Sequence, residues 1–168
     1  SHFVGKSGDV PTSDLLRWPK SDQEKIDPLV YLIGGELKNL PPLKNLAAAR
    51  LVFPVTRAHP KAPTKVGVVA LPEPIVKDKG YDFAKLGEVL GSVNVPTLAD
   101  DAPNWSPAKE FKIDITRYIR SLIVDGGNFH GLGLRVVPDR GVDDGWTVRV
   151  QLPNQPQIRL EVETYREP

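Results

Sequence analysis

Three aromatic side chains lie outside the regular apolar patterns of this chain, where a role at a surface is open to them: Trp105, Trp18 and Tyr81. An exposed aromatic ring can stack on the C–H groups of a pyranose. Trp105 stands between Asn104 and Ser106, whose amide and hydroxyl can pair with sugar hydroxyls. These residues are candidates for a carbohydrate site, with Trp105 foremost. The alternative is structural: Trp105 caps one end of the fold, while Trp18 and Tyr81 pack an arm and a loop onto the core.

Planar polar side chains supply the second part of such a site. Arg135, Arg149 and Gln151 occupy the polar positions of alternating patterns and are predicted to point outward. If the strands bearing them are neighbours, they form a basic and polar patch for an acidic polysaccharide, because arginine pairs with carboxylates bidentately. The alternative is a solvated sheet face with cross-strand pairs of arginine and glutamate. Further charged residues predicted to point outward are Lys112, Asp114, Arg159, Glu161 and Glu163.

Several aspartates offer oxygen ligands that could hold a structural calcium ion. The sequence has no helix-flanked loop with the spacing of an EF-hand, and aspartate is also an ordinary turn residue. We favour the turn interpretation, and no other cofactor is expected. The candidate calcium ligands are Asp100, Asp101, Asp139, Asp143 and Asp144.

Motifs for catalysis are missing from the sequence. It has no cysteine, no Gly-x-Ser-x-Gly, no phosphate-binding glycine loop and no metal-binding histidine pair, since its three histidines stand apart at positions 2, 59 and 130. The 21 acidic residues leave a glycosidase carboxylate pair as a remainder. The sequence therefore predicts a protein that is not an enzyme.

The elements that must position these residues are mostly strands. Apolar and polar residues alternate in four segments, which is the period of a strand buried on one face. Four such strands need a second layer to cover them, so we predict an all-β, jelly-roll-like antiparallel β-sandwich. The four segments are Phe111–Ile115, Leu132–Val136, Trp146–Leu152 and Ile158–Thr164.

The remaining segments complete the predicted architecture. A helix is expected from Thr116 to Val124, capped by Thr116 and ended by Gly126-Gly127, and a second short helix from Asp82 to Leu90. A long irregular loop is expected from Gly91 to Pro107. Further strands are predicted over residues 28–33, 47–56 and 65–71, the second at a sheet edge or bulged because Pro54 lacks an N–H.

Bulk composition limits the classes of partner. At 168 residues with a net charge of +1 and no basic block, the chain does not resemble a nucleic-acid binder, and no apolar stretch could span a membrane. We predict an irregular N-terminal arm with at most one edge strand over residues 1–27 and a single sandwich domain over 28–168. Ser1-His2 is interpreted as a tag remnant, and the absence of Met indicates a piece excised from a longer protein.

Several segments resemble the DNRLRE-type domains. The most specific is Lys112-Ile-Asp-Ile-Thr-Arg-Tyr-Ile-Arg-Ser-Leu122, followed by Gly126-Gly-Asn-Phe-His-Gly-Leu-Gly-Leu-Arg135. The segment Pro156 to Tyr165 resembles the closing strand of that family, and Leu29 to Pro41 and Ala47 to Val55 resemble an upstream pair of strands. The family consists of jelly-roll-like sandwiches in bacterial secreted proteins, related to carbohydrate-binding modules found with polysaccharide lyases. The resemblance therefore implies a sandwich fold and a secreted bacterial parent protein.

Together these observations predict a non-catalytic carbohydrate-binding module of a secreted, cell-surface or periplasmic protein. Its partners would be a polysaccharide, acidic if the arginine patch forms, and other domains of a larger parent chain. The alternative function is a structural or adhesive sandwich that spaces or docks neighbouring domains and binds no sugar. The two differ in their surfaces, because a binding module exposes aromatic rings beside polar side chains.

Overall fold

A computed structural model describes residues 2–4, 15–17, 31–33, 37, 40–74, 86–137, 147–150 and 158–165 of the chain. Ten strands and one α-helix, α1, lie in these residues, together with a 3-10 helix at Leu43–Asn45. The bounds in chain order are β1 His2–Val4, β2 Leu15–Arg17, β3 Tyr31–Ile33, β4 Leu46–Ala58, β5 Thr64–Ala70, β6 Val89–Val95, β7 Lys109–Asp114, α1 Thr116–Asp125, β8 Leu132–Val136, β9 Thr147–Val150 and β10 Arg159–Thr164.

The strands form two antiparallel sheets. One has the order β1-β10-β4-β9-β2, with β7 also paired to β4, and the other has the order β3-β8-β5-β6. The prediction of an all-β sandwich with a short helix is confirmed, whereas the jelly-roll connectivity stays a prediction. No helix in the described ranges is both long enough and apolar enough to cross a bilayer.

The core lies between the two sheets and is built from the alternating positions of the sequence. From the six-stranded sheet, Leu51 and Phe53 of β4 and Ile113 of β7 are fully buried. From the four-stranded sheet, Val66 and Leu134 meet them. Burying each such side chain contributes about 1.5 to 3 kcal/mol, so this packing supplies the main stabilisation of the fold.

The long strand β4 organises the six-stranded sheet. Its residues Arg50–Val55 pair with β7, while Leu46–Val52 pair with β10 and Val55–Ala58 pair with β9. Some β4 residues that pair with β7 also pair with β10 or β9. Strands β10 and β9 therefore lie end to end on the side of β4 opposite β7. Pro54 lies at the junction between them, next to a register shift at Val55. The strand is thus interior rather than at an edge, and its proline occupies an interruption of the ladder, where a missing N–H is tolerated.

Helix α1 is confirmed over nearly the predicted range, but its capping differs. The N-cap is Ile115 rather than Thr116. The carboxylate of Asp114 accepts hydrogen bonds from the Thr116 N–H at 2.9 Å and from its hydroxyl at 2.6 Å, while the Thr116 hydroxyl oxygen accepts the N–H of Ala49 at 2.9 Å. At the other end Gly126 adopts φ 62° and donates its N–H to Leu122, as the glycine pair predicted.

Two predictions between residues 82 and 107 are wrong. Leu86–Glu88 is not helical and Val89 opens β6, so the helix is absent from the described part of 82–90. The predicted loop begins only after Val95, since β6 occupies Val89–Val95. Glycine, serine and asparagine inside β6 have low strand propensity and concealed the pattern. Gly91 is needed there because a Cβ would lie 2.3 Å from the Asp114 carbonyl oxygen of β7, where the edges of the two sheets meet.

The predicted N-terminal arm contributes two short strands. β1 pairs with β10 and β2 pairs with β9, which places them at the outer positions of the six-stranded sheet. His2, interpreted as part of a tag remnant, lies opposite Glu161 in this pairing. The boundary predicted at residue 27 falls outside the described residues.

Candidate functional site

Trp105 lies in the loop between β6 and β7, at the end of the sandwich where β4 finishes. Its backbone N–H donates to the Thr56 carbonyl at 2.9 Å. Its ring is half-buried and packs on Phe111 with a centroid separation of 6.3 Å and an interplanar angle of 48°. Asn104 and Ser106 beside it are exposed. The ring is thus anchored on the core while its immediate neighbours face solvent.

Arg57 fixes the loop that carries Trp105. Its guanidinium donates to the carbonyls of Ala102 and Ala99, both at 2.7 Å, and lies 3.9 Å from the carboxylate of Asp100. The N–H of Leu98 donates to the carbonyl of His59 at 3.1 Å. A charged donor that spans two carbonyls is a strong local restraint. All these contacts tie the loop to the end of β4.

Lys109 completes the surroundings of the Trp105 ring. Its ammonium lies 5.5 Å from the centroid of Trp105 and 5.7 Å from that of Phe111, within the range of a cation–π interaction. The side chain is exposed, so this contact is weak and the ammonium can turn toward an incoming ligand. We name Arg57, Asp100, Asn104, Trp105 and Lys109 the tryptophan loop. It offers one ring, one amide, one carboxylate and one exposed ammonium group.

The other aromatic and polar candidates are only partly visible. Trp18, Tyr81 and Gln151 lie outside the described residues. Arg149 lies on β9 opposite Leu15 of β2, and only its backbone is described. A role of these residues in binding carbohydrate stays a prediction.

The predicted patch required Arg135 and Arg149 to lie on neighbouring strands. The strand of Arg135, β8, belongs to the four-stranded sheet, whereas β9 belongs to the six-stranded sheet, so the two strands are not neighbours. Arg135 is also half-buried rather than openly exposed, and this burial lowers the pKa of its guanidinium. Alternation placed the side chain on the correct strand but could not show which sheet the strand joins.

The structure describes two of the five candidate calcium ligands. Asp100 and Asp101 are exposed in the loop between β6 and β7, and Asp100 approaches Arg57. Within the described residues no group of three His, Asp or Glu side chains converges as a metal site would require. The remaining candidates, Asp139, Asp143 and Asp144, lie outside those residues.

The outer face of β7, β4 and β10 carries paired charges. Arg159 of β10 lies 2.8 Å from Glu110 of β7 and 3.0 Å from Glu161, and Lys112 of β7 lies 3.2 Å from Glu161. These pairs reach across β4 and cover Val52, which is fully buried although it faces away from the core. Hydrogen bonds from Lys112 and Arg159 lower the pKa of Glu161. The outward prediction for Lys112, Arg159 and Glu161 is confirmed, and the cross-strand alternative describes this face.

Two contributors to the tryptophan loop were missed from the sequence. Lys109 precedes Phe111 by two residues, so alternation would have placed it on the same side of β7, beside the ring. Arg57 gave no such signal, because its partners are backbone carbonyls more than forty positions away. The period of a strand shows to which face of the sheet each side chain points, but it does not show which loop packs against the end of the strand.

No protein-family model matches the chain, and no curated protein matches it significantly. The resemblance to the DNRLRE-type domains therefore stays a prediction from its motifs.

Proposed function

We propose that this domain is a non-catalytic carbohydrate-binding module that binds a polysaccharide at the tryptophan loop. In this proposal Trp105 stacks on a pyranose ring, Asn104 and Asp100 pair with hydroxyls, and Lys109 turns to an acidic group where the polymer has one. The parent protein would be a secreted or surface protein that acts on or adheres to polysaccharide.

The observation that carries the proposal is the way in which Trp105 is held. A half-exposed tryptophan on an unconstrained loop would lose freedom on binding, which costs affinity. Here the backbone of Trp105 is tied to Thr56, and Arg57 braces the preceding turn. The ring is positioned before any ligand arrives, as a preorganised site requires. A single such site is weak, and modules of this kind act by raising the local concentration of a linked protein on an extended polymer.

The test is affinity electrophoresis of the domain against neutral and acidic polysaccharides, with and without calcium. We expect retardation by at least one polymer, and we expect Trp105→Ala to abolish it. The matched control is Tyr165→Ala, since Tyr165 is a 60% exposed aromatic near the opposite end of β4. Retardation that survives Trp105→Ala, or that Tyr165→Ala abolishes, would contradict the proposed site.

A second function, a structural sandwich that spaces or docks domains, draws support from the outer face of β7, β4 and β10. Charges there are satisfied by one another, as on a surface that needs no ligand. No retardation across a broad panel of polymers would favour this function over sugar binding.

A further inference from the structure

Exposed apolar side chains gather near the start of β4, at the end of the sandwich opposite the tryptophan loop. Among the described residues, four large apolar side chains are exposed. Three of them lie at this end of the sandwich, namely Leu43 at 41%, Val124 at 62% and Tyr165 at 60%. The Tyr165 N–H donates to the carbonyl of Asn45 at 2.9 Å, which places it beside the 3-10 helix that carries Leu43. The fourth, Val89, opens β6.

Helix α1 brings Val124 to the same place. Its first residue, Thr116, is bonded to Ala49, and one turn later the Arg120 guanidinium lies 3.5 Å from the Leu46 carbonyl. The helix therefore runs back along the start of β4, and a further turn carries Val124 to the level of the 3-10 helix, against which α1 packs. Because residues four apart share a helix face, Arg120 and Val124 lie on one exposed side.

The charges around these side chains are mainly positive. Lys44, Arg117 and Arg120 are exposed. Of the nearby carboxylates, Asp114 keeps its negative charge, because hydrogen bonds from Thr116 lower its pKa, and it faces Arg120 in part; Glu163 lies 3.2 Å from Arg50. Asp125, at the end of α1, is exposed and opposes the three cations in part. We name this surface the helix corner: Leu43, Lys44, Arg117, Arg120, Val124 and Tyr165.

We infer that the helix corner docks an acidic, partly apolar segment of a partner protein. Carboxylates of the segment would pair with Arg117 and Arg120, for which arginine is geometrically suited. Leu43 and Val124 offer aliphatic surface and Tyr165 adds one exposed ring, and together they accommodate an aliphatic or aromatic side chain of the segment. This surface is separate from the tryptophan loop: Thr56 and Asn45, the two anchors, are about 35 Å apart along β4.

The experiment selects ligands from a random peptide library displayed on phage, with the wild-type domain as target and the Arg117→Glu/Arg120→Glu variant for counter-selection. We expect enriched peptides to combine Asp or Glu with at least one large apolar residue. A labelled enriched peptide, measured by fluorescence anisotropy, should bind the double variant about tenfold or more weakly than the wild type, which corresponds to about 1.4 kcal/mol. Val124→Asp should weaken it similarly.

Matched controls separate this inference from general charge effects. Lys65→Glu reverses an exposed cation on β5 and should leave the peptide affinity unchanged. Arg117→Glu alone tests the surface without touching the Arg120 contact to Leu46, should the double variant fold poorly. Enriched peptides without acidic residues, binding undiminished by Arg117→Glu, or polyglutamate binding as tightly as the peptide would overturn the inference. So would a uronate polymer that displaces the peptide and is itself held through Arg117, because the surface would then be a polysaccharide site.

Discussion

The two ends of β4 present surfaces built from similar residue types in opposite ways. At the Thr56 end, Arg57 is satisfied internally by two carbonyls, and the single aromatic ring of the loop rests on the core. At the Asn45 end, Arg117 and Lys44 face solvent and Tyr165 is exposed. At the first end the guanidinium of Arg57 holds a loop in place, whereas at the second end the charges of Arg117 and Lys44 are exposed to solvent. A loop held by hydrogen bonds and a surface with exposed cations therefore lie at opposite ends of one strand.

The largest expected effect on stability comes from truncating Phe111, against which the Trp105 ring packs. Phe111 packs against both Trp105 and Phe53 and is 9% exposed, so Phe111→Ala leaves a cavity beneath the ring and should lower the free energy of unfolding by about 3 to 5 kcal/mol. Urea denaturation measures this. Phe111→Leu is the control and should cost less than half as much. Equal losses would mean that Phe111 does not support the ring through its volume.

Arg57→Ala should destabilise the loop that carries Trp105 and should lower the free energy of unfolding less than Phe111→Ala does. Two hydrogen bonds from a charged donor are lost, which corresponds to about 2 kcal/mol of stability. Amide hydrogen exchange should accelerate at Leu98 and Trp105 and remain unchanged at Tyr165, at the other end of β4. Equal acceleration at both ends would remove the distinction between them.

Thr116→Val tests the anchor of α1 at the opposite end and should cost about 1 kcal/mol, because the Ala49 N–H loses its acceptor. Thr116→Ser retains the hydroxyl and should be nearly neutral. If valine and serine destabilise the domain alike, the methyl group rather than the hydroxyl anchors the helix.

The smallest effect concerns the paired face between the two ends. The pKa of Glu161 lies below its ordinary value of 4.5, chiefly because Lys112 donates a hydrogen bond to it. A carboxylate with a lowered folded pKa stabilises the fold above that ordinary value, and this contribution is lost as pH falls toward the folded pKa. Stability should therefore decline in acid below about pH 4.5, and Glu161→Gln should reduce the slope of that decline. A slope unchanged by the substitution would show that the pair has no influence on stability.

Sequence reasoning predicted the strands that have regular alternation and failed where packing replaced pattern. β7 and β8 were predicted to within a few residues because Phe111, Ile113, Leu132 and Leu134 keep a period of two. β6 was missed because contact with β7 requires Gly91 rather than an apolar side chain. Partners across sheets have no local signature, so Arg57 could not be assigned to its loop nor Arg135 to its sheet.

Of the candidate site, Trp105 lies outside the strands as predicted and its ring is half-buried against Phe111, while its role in binding stays a prediction. Sequence reasoning missed the helix corner for a physical reason. Tyr165 directly follows β10, which ends at Thr164 as predicted, and its ring faces solvent. The periodic pattern of one strand does not show that the 3-10 helix and α1 lie beside its end.

The close contact at Gly91 has a consequence for self-association. An edge strand is a template on which another chain can add a strand and begin aggregation. Where Gly91 of β6 lies against Asp114 of β7, two such edges block one another through steric contact alone. A methyl group at position 91 would wedge them apart and open both to solvent. One hydrogen atom in place of a side chain thus allows the edges of the two sheets to lie against each other.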